Sequence, residues 1–314
     1  MEASFSRNNM VFIGARIQFV ATINELFSGL TPPEQGKSIF NEVFAKPEGF
    51  TIKPKRPKGR QVEIYFDPIC YKEDKSYLIR GAKIGKSKRI MFPVMEGSHL
   101  VEKLISTYPF VLMLWDSENQ VMLIQQKSSV FSDASLPIEI IMLYLNSVLF
   151  TKGLVAKWEL IKERGTFWKS IEEFEAIYSL KIELIAPNLF GSTFEQAEKF
   201  IRKLREETNG TEFSIGIMNE DGQVKLNSSD KLIASIADQI DNGGGNLKIT
   251  GFKKDKKSRG RRRFNLRKKY RYIQIDEKFD DVKYLKSEKI IEITEELKDK
   301  YTLKKDGHKD ENSN

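Results

Sequence analysis

A chain of 314 residues, 40% apolar and 31% charged, has the length for two domains and the composition of a globular fold rather than a disordered one. Its single cysteine, Cys70, excludes an intrachain disulfide framework and a cysteine-based zinc site, and two histidines, His99 and His308, are too few for a His-based triad or a multi-His metal centre. The net charge is +8, yet residues 253–271 hold twelve Lys or Arg against one acid, Asp255, so this segment alone carries +11 and leaves −3 for the rest.

The N-terminal residues break their apolar run at Arg16 and Asn24, which is not the order of a secretory signal. ARIQFVATINELF (15–27) reads as a strand running towards a short helix, and the Pro- and Lys-rich stretch 50–60 as an exposed extended loop. Strands are predicted at 61–69, 75–84 and 88–95, then one short helix at 98–108 with Ser98 as its cap. Residues 109–127 read as a hairpin about the turn DSEN (116–119), and the near-continuous apolarity of FVLMLW (110–115) predicts a strand covered on both faces. SLPIEIIMLYLNSVLF (135–150) is too short for a bilayer and is interrupted by Glu139 and Asn146, so it reads as a buried helix started after Pro137. These features lead to the expectation of a soluble, cytoplasmic chain without a transmembrane segment.

A helical connector over 151–178, containing Trp158, Phe167, Trp168 and Phe174, is expected to lead into a second domain. There SLKIELIAP (179–187) predicts a strand, and residues 192–210 an amphipathic helix capped by Ser192 or Thr193 and stopped at Asn209-Gly210. TEFSIGIM, the turn NEDG and QVKLN (211–227) predict a hairpin, residues 228–245 a second helix, and NLKITGF (246–252) a closing strand. The expected fold class is therefore α+β: a β-rich N-terminal domain over 1–150, the connector, a βαββαβ domain over 179–301, and a disordered tail over 302–314.

The β-α-β-β-α-β order of residues 179–252 resembles the ferredoxin-like superfold, shared by RNA-recognition domains and the repeat-associated proteins of CRISPR complexes. The strand positions read from sequence (Lys181 to Leu184, Val224 and Leu226) include no Phe or Tyr for stacking bases. The phrases IAPNLFGS (185–192) and NEDGQVKL (219–226) resemble uncharacterised bacterial proteins found among antiphage-defence genes, which implies a place in such defence.

The basic segment extends the closing strand into an arm over 252–272. Strand alternation on the return puts Phe264, Leu266, Tyr270 and Tyr272 on one face and Arg267, Lys269 and Arg271 on the other. An arm with an apolar underside and a basic outer face suits a nucleic-acid backbone. The expected contacts are Lys256, Lys257, Arg259, Arg261, Arg262, Arg263, Arg267, Lys268, Lys269, Tyr270 and Arg271, on DNA or RNA, with no cofactor and no metal. Two smaller patches, Lys53 to Arg60 and Lys83 to Arg89, are candidates to extend this surface. A charge run is also compatible with a solvated edge that prevents aggregation, or with an acidic protein partner or an anionic membrane surface.

Chemistry has fewer candidates. GAKIGKS (81–87) has three residues between Gly81 and Gly85 where a phosphate loop needs four, and lies between two predicted strands. Asp116, Glu118, Gln125 and Lys127 have the residue types of a restriction-type nuclease site, in which carboxylates hold a metal and a lysine assists the attacking water. Asp116 falls in the predicted turn, however, so the principal expectation is a non-catalytic, largely sequence-independent nucleic-acid binder. The alternatives are a metal-dependent nuclease and an adaptor.

Overall fold

The computed structural model describes residues 10–22, 31–46, 48–53, 63–69, 79–185, 195–208, 210, 212–254 and 260–275. The fold is α+β, built from helices and antiparallel sheets. The chain divides into two compact units, residues 1–160 with 274–291, and residues 161–273 with 292–314. Among the described residues no helix is long and apolar enough to cross a membrane.

The first unit is organised by β1 (Met10–Ala21), a strand covered on both faces, whose residues are nearly all buried, Gln18 included, with Arg16 only partly so. Helix α1 (Pro32–Phe44) follows; its first turn is set by Pro32 and by Glu34, which accepts a hydrogen bond from the Thr31 amide at 2.9 Å. Then come β2 (Phe50–Ile52), β3 (Ile64–Pro68), β4 (Ile79–Lys86), β5 (Lys88–Glu96), β6 (His99–Thr107), β7 (Phe110–Asp116) and β8 (Val121–Gln125). Helix α2 (Leu136–Phe150) and β9 (Leu154–Leu160) complete the run. The sheet order is β14-β1-β8-β7-β4-β3-β2, with β9 also on β1; β14 (Tyr272–Ile275) is where the chain re-enters this unit. Phe19, Phe40 and Trp115 form an aromatic cluster beneath α1, and the Trp115 indole donates to Asn41 Oδ1 at 3.0 Å. Asn146, the polar break in the apolar run of α2, clamps β9: its Nδ2 donates to the Ala156 carbonyl and its Oδ1 accepts from the Ala156 amide.

Residues 98–108 do not form the expected helix. They form β6, paired with β5 from Lys88↔Thr107 to Glu96↔His99 about a turn at Gly97, where φ is +61°. The hydrophobic residues of 99–107 satisfy the strand period as well as the helical one, and pairing with the complementary run in β5 decides between them. This hairpin leaves Met91, Phe92, Met95, Leu100 and Leu104 more than half exposed. The expected helical connector is also replaced, by β9, a short helix α3 (Thr166–Glu172) and the first turns of a long strand. Trp158 lies in β9 opposite Ile17, Phe167 and Trp168 lie in α3, and Phe174 opens that strand.

The second unit contains that strand, β10 (Phe174–Ile185), with α4 (Glu195–Thr208), β11 (Glu212–Met218), α5 (Lys231–Asp241), β12 (Gly245–Lys253) and β13 (Arg262–Asn265). The sheet order is β11-β10-β12-β13, antiparallel throughout. Helix α5 starts at Asp230, whose carboxylate accepts from the Leu232 and Ile233 amides. Ala197 and Ile201 of α4 and Ile236, Ala237 and Ile240 of α5 pack on Leu180, Ile182, Leu184, Leu247 and Ile249 of the sheet. The hairpin expected over 211–227 does not form. Gln223 makes a single parallel bridge to Ile177 of β10, in which the Val224 amide donates to the Ile177 carbonyl at 3.1 Å, and residues 225–227 pair with no strand. Asn219 Oδ1 accepts from the Asp221 and Gln223 amides, a local turn that directs the chain away from β11. The element order is thus β-α-β-α-β-β rather than βαββαβ.

Candidate nucleic-acid interface

Because strand side chains alternate, packing both helices on one side of the second unit's sheet leaves the other side open. On β12, Leu247, Ile249 and Gly251 face the helices, so Lys248, Thr250 and Phe252 lie on the other side, half-buried, together with Asn246, which is fully buried there. Register carries this across the sheet. One row holds Gly216, Lys181, Lys248 and Asn265, and the next holds Met218, Ser179, Thr250 and Arg263. A Cβ added at Gly216 would meet nothing within 4 Å, and Met218 is 84% exposed.

At the β13 end this face carries two aromatic rings that the sequence reading missed. The β10–β12 register shifts between Phe174 and Ala176 and again between Ile177 and Ser179, so β10 bulges twice. The second bulge turns Tyr178 against Phe252, ring centres 5.8 Å apart at 69°. The Arg261 guanidinium carbon lies 3.7 Å from the centre of the Tyr178 ring, close enough only for face-on stacking. Gly222, at φ +74°, lets the preceding turn approach: a Cβ there would fall 2.9 Å from Tyr178 Cζ. The sequence reading begins the strand at Ser179, which leaves Tyr178 outside it. The aromatic-plus-glycine combination Tyr178, Gly222 and Phe252 was the available signal.

The basic segment is an arm of a different shape from the one expected. β13 pairs with β12 from Gly251↔Arg262 to Lys248↔Asn265, but the return stops after four residues in a 3-10 turn over 266–268. Asn265 Oδ1 accepts from the Arg267 amide and starts that turn. The expected alternation therefore ends at Asn265: Phe264 and Leu266 pack into the core, while Tyr270 and Tyr272 pair with each other, 5.1 Å between ring centres.

The predicted contact residues separate accordingly. Arg261, Arg262, Arg263 and Arg267 are exposed. Lys269 is turned inward, ion-paired with Glu173, which also holds Lys253 at 2.7 Å. Arg271 is half-buried and lines a recess with Ile161, Lys162, Arg164, Asp238, Asp241 and Asn242. Lys256, Lys257, Arg259 and the Lys268 side chain lie outside the described residues, as do Cys70, Ser192, Thr193 and His308. One carboxylate tempers the open face, and another is buried at the end of α5 on the helix side of the sheet. Partial burial pushes Glu183 up, but hydrogen bonds from Lys248, Lys181 and Asn246 outweigh it and hold the group at about 2. Asp241 goes the other way. Burial pushes it up to about 6, although the Phe167 amide donates to it at 3.0 Å and Lys162 lies near.

The nuclease candidates do not assemble. Asp116 is buried and folded back on its own turn, accepting from the Asn119 amide at 3.1 Å and from Asn119 Nδ2 at 2.7 Å. Asp116 pairs with Val121, at the opposite end of β8 from Lys127. At about 3.4 Å per residue that separates them by roughly 20 Å. Gln125 is spent on the Leu112 amide, and Glu118 is exposed. Among the described residues no group of three or more His, Cys, Asp and Glu is placed to hold a metal. His99 is exposed in β6 opposite Glu96. Of the smaller basic patches, both in the first unit, residues 54–62 lie outside the described residues; Lys53 pairs with Glu63, and Lys83 with Asp67. No protein-family model matches the chain, and no curated protein matches it.

Proposed function

We propose that this chain binds nucleic acid largely irrespective of sequence, gripping phosphates with the arginines of β13 and its flanks. The observation that carries the reading is the run Arg261, Arg262 and Arg263, exposed at the edge of a sheet whose outer face is open and carries Lys181 and Lys248. Guanidinium groups match phosphate oxygens in planar geometry, and none of these contacts reads a base edge, so affinity follows charge rather than sequence. The scattering of Asp116, Glu118 and Lys127 favours a binder over a nuclease. The setting we propose is defence against phage, on the likeness carried by residues 185–192 and 219–226.

The test is an anisotropy titration of labelled DNA and RNA at several salt concentrations. Wild type is compared with a variant in which Arg261, Arg262, Arg263 and Arg267 become Ser. With about six cations on duplex phosphates, log K falls with a slope of roughly −5 against log salt, and the variant loses most of both affinity and slope. Absence of binding by wild type at low salt overturns the proposal.

One observation favours a second reading, an adaptor that docks a protein partner. The β5–β6 hairpin presents Met91, Met95, Leu100 and Leu104 together on one face of a two-stranded ribbon. Single scattered apolar residues are ordinary on a surface, whereas a contiguous patch marks an interaction site. Polar replacement of Leu100 and Leu104 abolishes such docking and leaves nucleic-acid binding unchanged.

A further inference from the structure

Resting on the nucleic-acid reading, we infer that the nucleic acid held is single-stranded, and that one of its bases stacks on the outward side of the Arg261 guanidinium where it lies on Tyr178.

The geometry supplies a fixed plane rather than a mobile charge. Arg261 is exposed, so with one side of its guanidinium on the Tyr178 ring the other side faces solvent. Tyr178 is in turn held edge-to-face by Phe252 and approached by the Gly222 turn. A lone surface arginine loses rotamer entropy when a ligand orders it; here that ordering has been done by the fold. A guanidinium plane, like an aromatic ring, stacks on any base through its π-face, provided the base is unstacked from its neighbours. Bases in a duplex offer no such face without melting. A duplex would engage Arg261 through its charge alone and leave the outward plane of its guanidinium unused.

The surroundings fit a strand laid across the sheet. The four strands β11-β10-β12-β13 give a face on the order of 14 Å across. Arg263, Lys248 and Lys181 are placed along it for phosphates. Gly216 opens the far side and exposed Met218 gives it an apolar edge. Among the described residues the acids that face this path are Glu183, committed to Lys181 and Lys248, and Glu212 at the rim of β11.

The test uses the full chain with three labelled probes of one length: an oligo-dT, an oligo-U and a mixed-sequence DNA duplex. Wild type is compared with Arg261→Lys, which keeps the charge and removes the plane, and with Tyr178→Leu, which removes the support. Both single strands bind more tightly than the duplex. Arg261→Lys and Tyr178→Leu each weaken single-strand binding about tenfold, the size of one base stack, and weaken duplex binding by clearly less, with no change in salt slope. Equal loss on single strand and duplex, no loss for Arg261→Lys, or tighter binding of the duplex each overturns this inference while the wider reading stands. If wild type binds none of the three probes at low salt, the wider reading falls with it.

Discussion

Lys269 donates to the carboxylate of Glu173, so a lysine near the end of the basic segment is committed to the protein's own core edge. Partial burial pushes Glu173 up, but hydrogen bonds from Lys253 and Lys269 outweigh it and hold the group below its ordinary value. The ammonium groups of the same two lysines also lie about 5 Å from the centre of the Phe264 ring. Charge in this segment thus divides into cations that hold the arm down and cations that face outward.

That division is measurable. Lys269→Ala removes an ion pair and a cation over Phe264, and lowers stability by about 1 kcal/mol in a urea melt. It leaves the salt slope of nucleic-acid binding where it was. Arg263→Ala does the reverse: stability stays within about 0.5 kcal/mol, as at an exposed site, and the slope falls by about 0.7 to 0.9. A lowered slope for Lys269→Ala would show that the ion pair opens to receive a phosphate.

Asp241 gives the second unit a defined pH response. Its folded value, about 6, is raised above the ordinary 3.8, so the folded state holds this proton more tightly than the unfolded chain. Stability from this group is therefore greatest below about pH 4 and falls as pH rises towards and through 6. Asp241→Asn keeps an oxygen acceptor for the Phe167 amide and removes the titration. Urea midpoints at pH 4.5 and 7.5 check it: the variant gains on wild type at pH 7.5, and the gain shrinks at 4.5. An equal difference at both values rules the response out.

Glu183 works in the opposite direction. Its folded value of about 2 lies below the ordinary 4.5, so its contribution is fully present above 4.5 and is lost as pH falls towards 2. Replacing it by Gln removes that acid-labile part. It also releases Lys181 and Lys248 on the open face, and raises affinity for an oligo-dT a few-fold at low salt, an advantage that disappears at high salt. Unchanged affinity at low salt would place the nucleic acid away from these strands.

The parts legible in the sequence are those whose signals are local. The hairpin about 116–119, the helix begun beside Pro137 and the helix capped at Asp230 each announce themselves by periodicity and a turn or cap residue. Three features were not legible because they depend on pairing. Residues 99–107 fit two periods until β5 selects one; residues 154–160 become a strand because β1 offers an edge; residues 225–227 remain outside the sheet because the Asn219 turn redirects the chain. The arm shows the same limit. Its charge was plain, but the turn at 266–268 and the double bulge of β10 decide which side chains share the open face. Both are properties of the paired strands rather than of either strand alone.

Two glycines on the strands that flank β10 test that bulged geometry. A Cβ at Gly251 would fall 2.2 Å from the Ala176 carbonyl oxygen, so the bulged β10 and β12 approach there more closely than any side chain permits. The obstructing atom is backbone and cannot swing away. Gly251→Ala therefore forces the strands apart and costs about 2–3 kcal/mol, by the route of overpacking. Because Ala176 lies between the two register shifts of β10 and two residues before Tyr178, this also displaces the ring on which Arg261 rests, and single-strand affinity drops along with stability. Gly216 is the matched control, a strand glycine on the same sheet with nothing within 4 Å of its added Cβ. Gly216→Ala reduces only the entropy of the unfolded chain, and is neutral or stabilising by up to about 1 kcal/mol. Chemical denaturation of the two variants side by side separates these outcomes; equal effects would mean that the close approach of Gly251 to Ala176 does not hold the bulge in place.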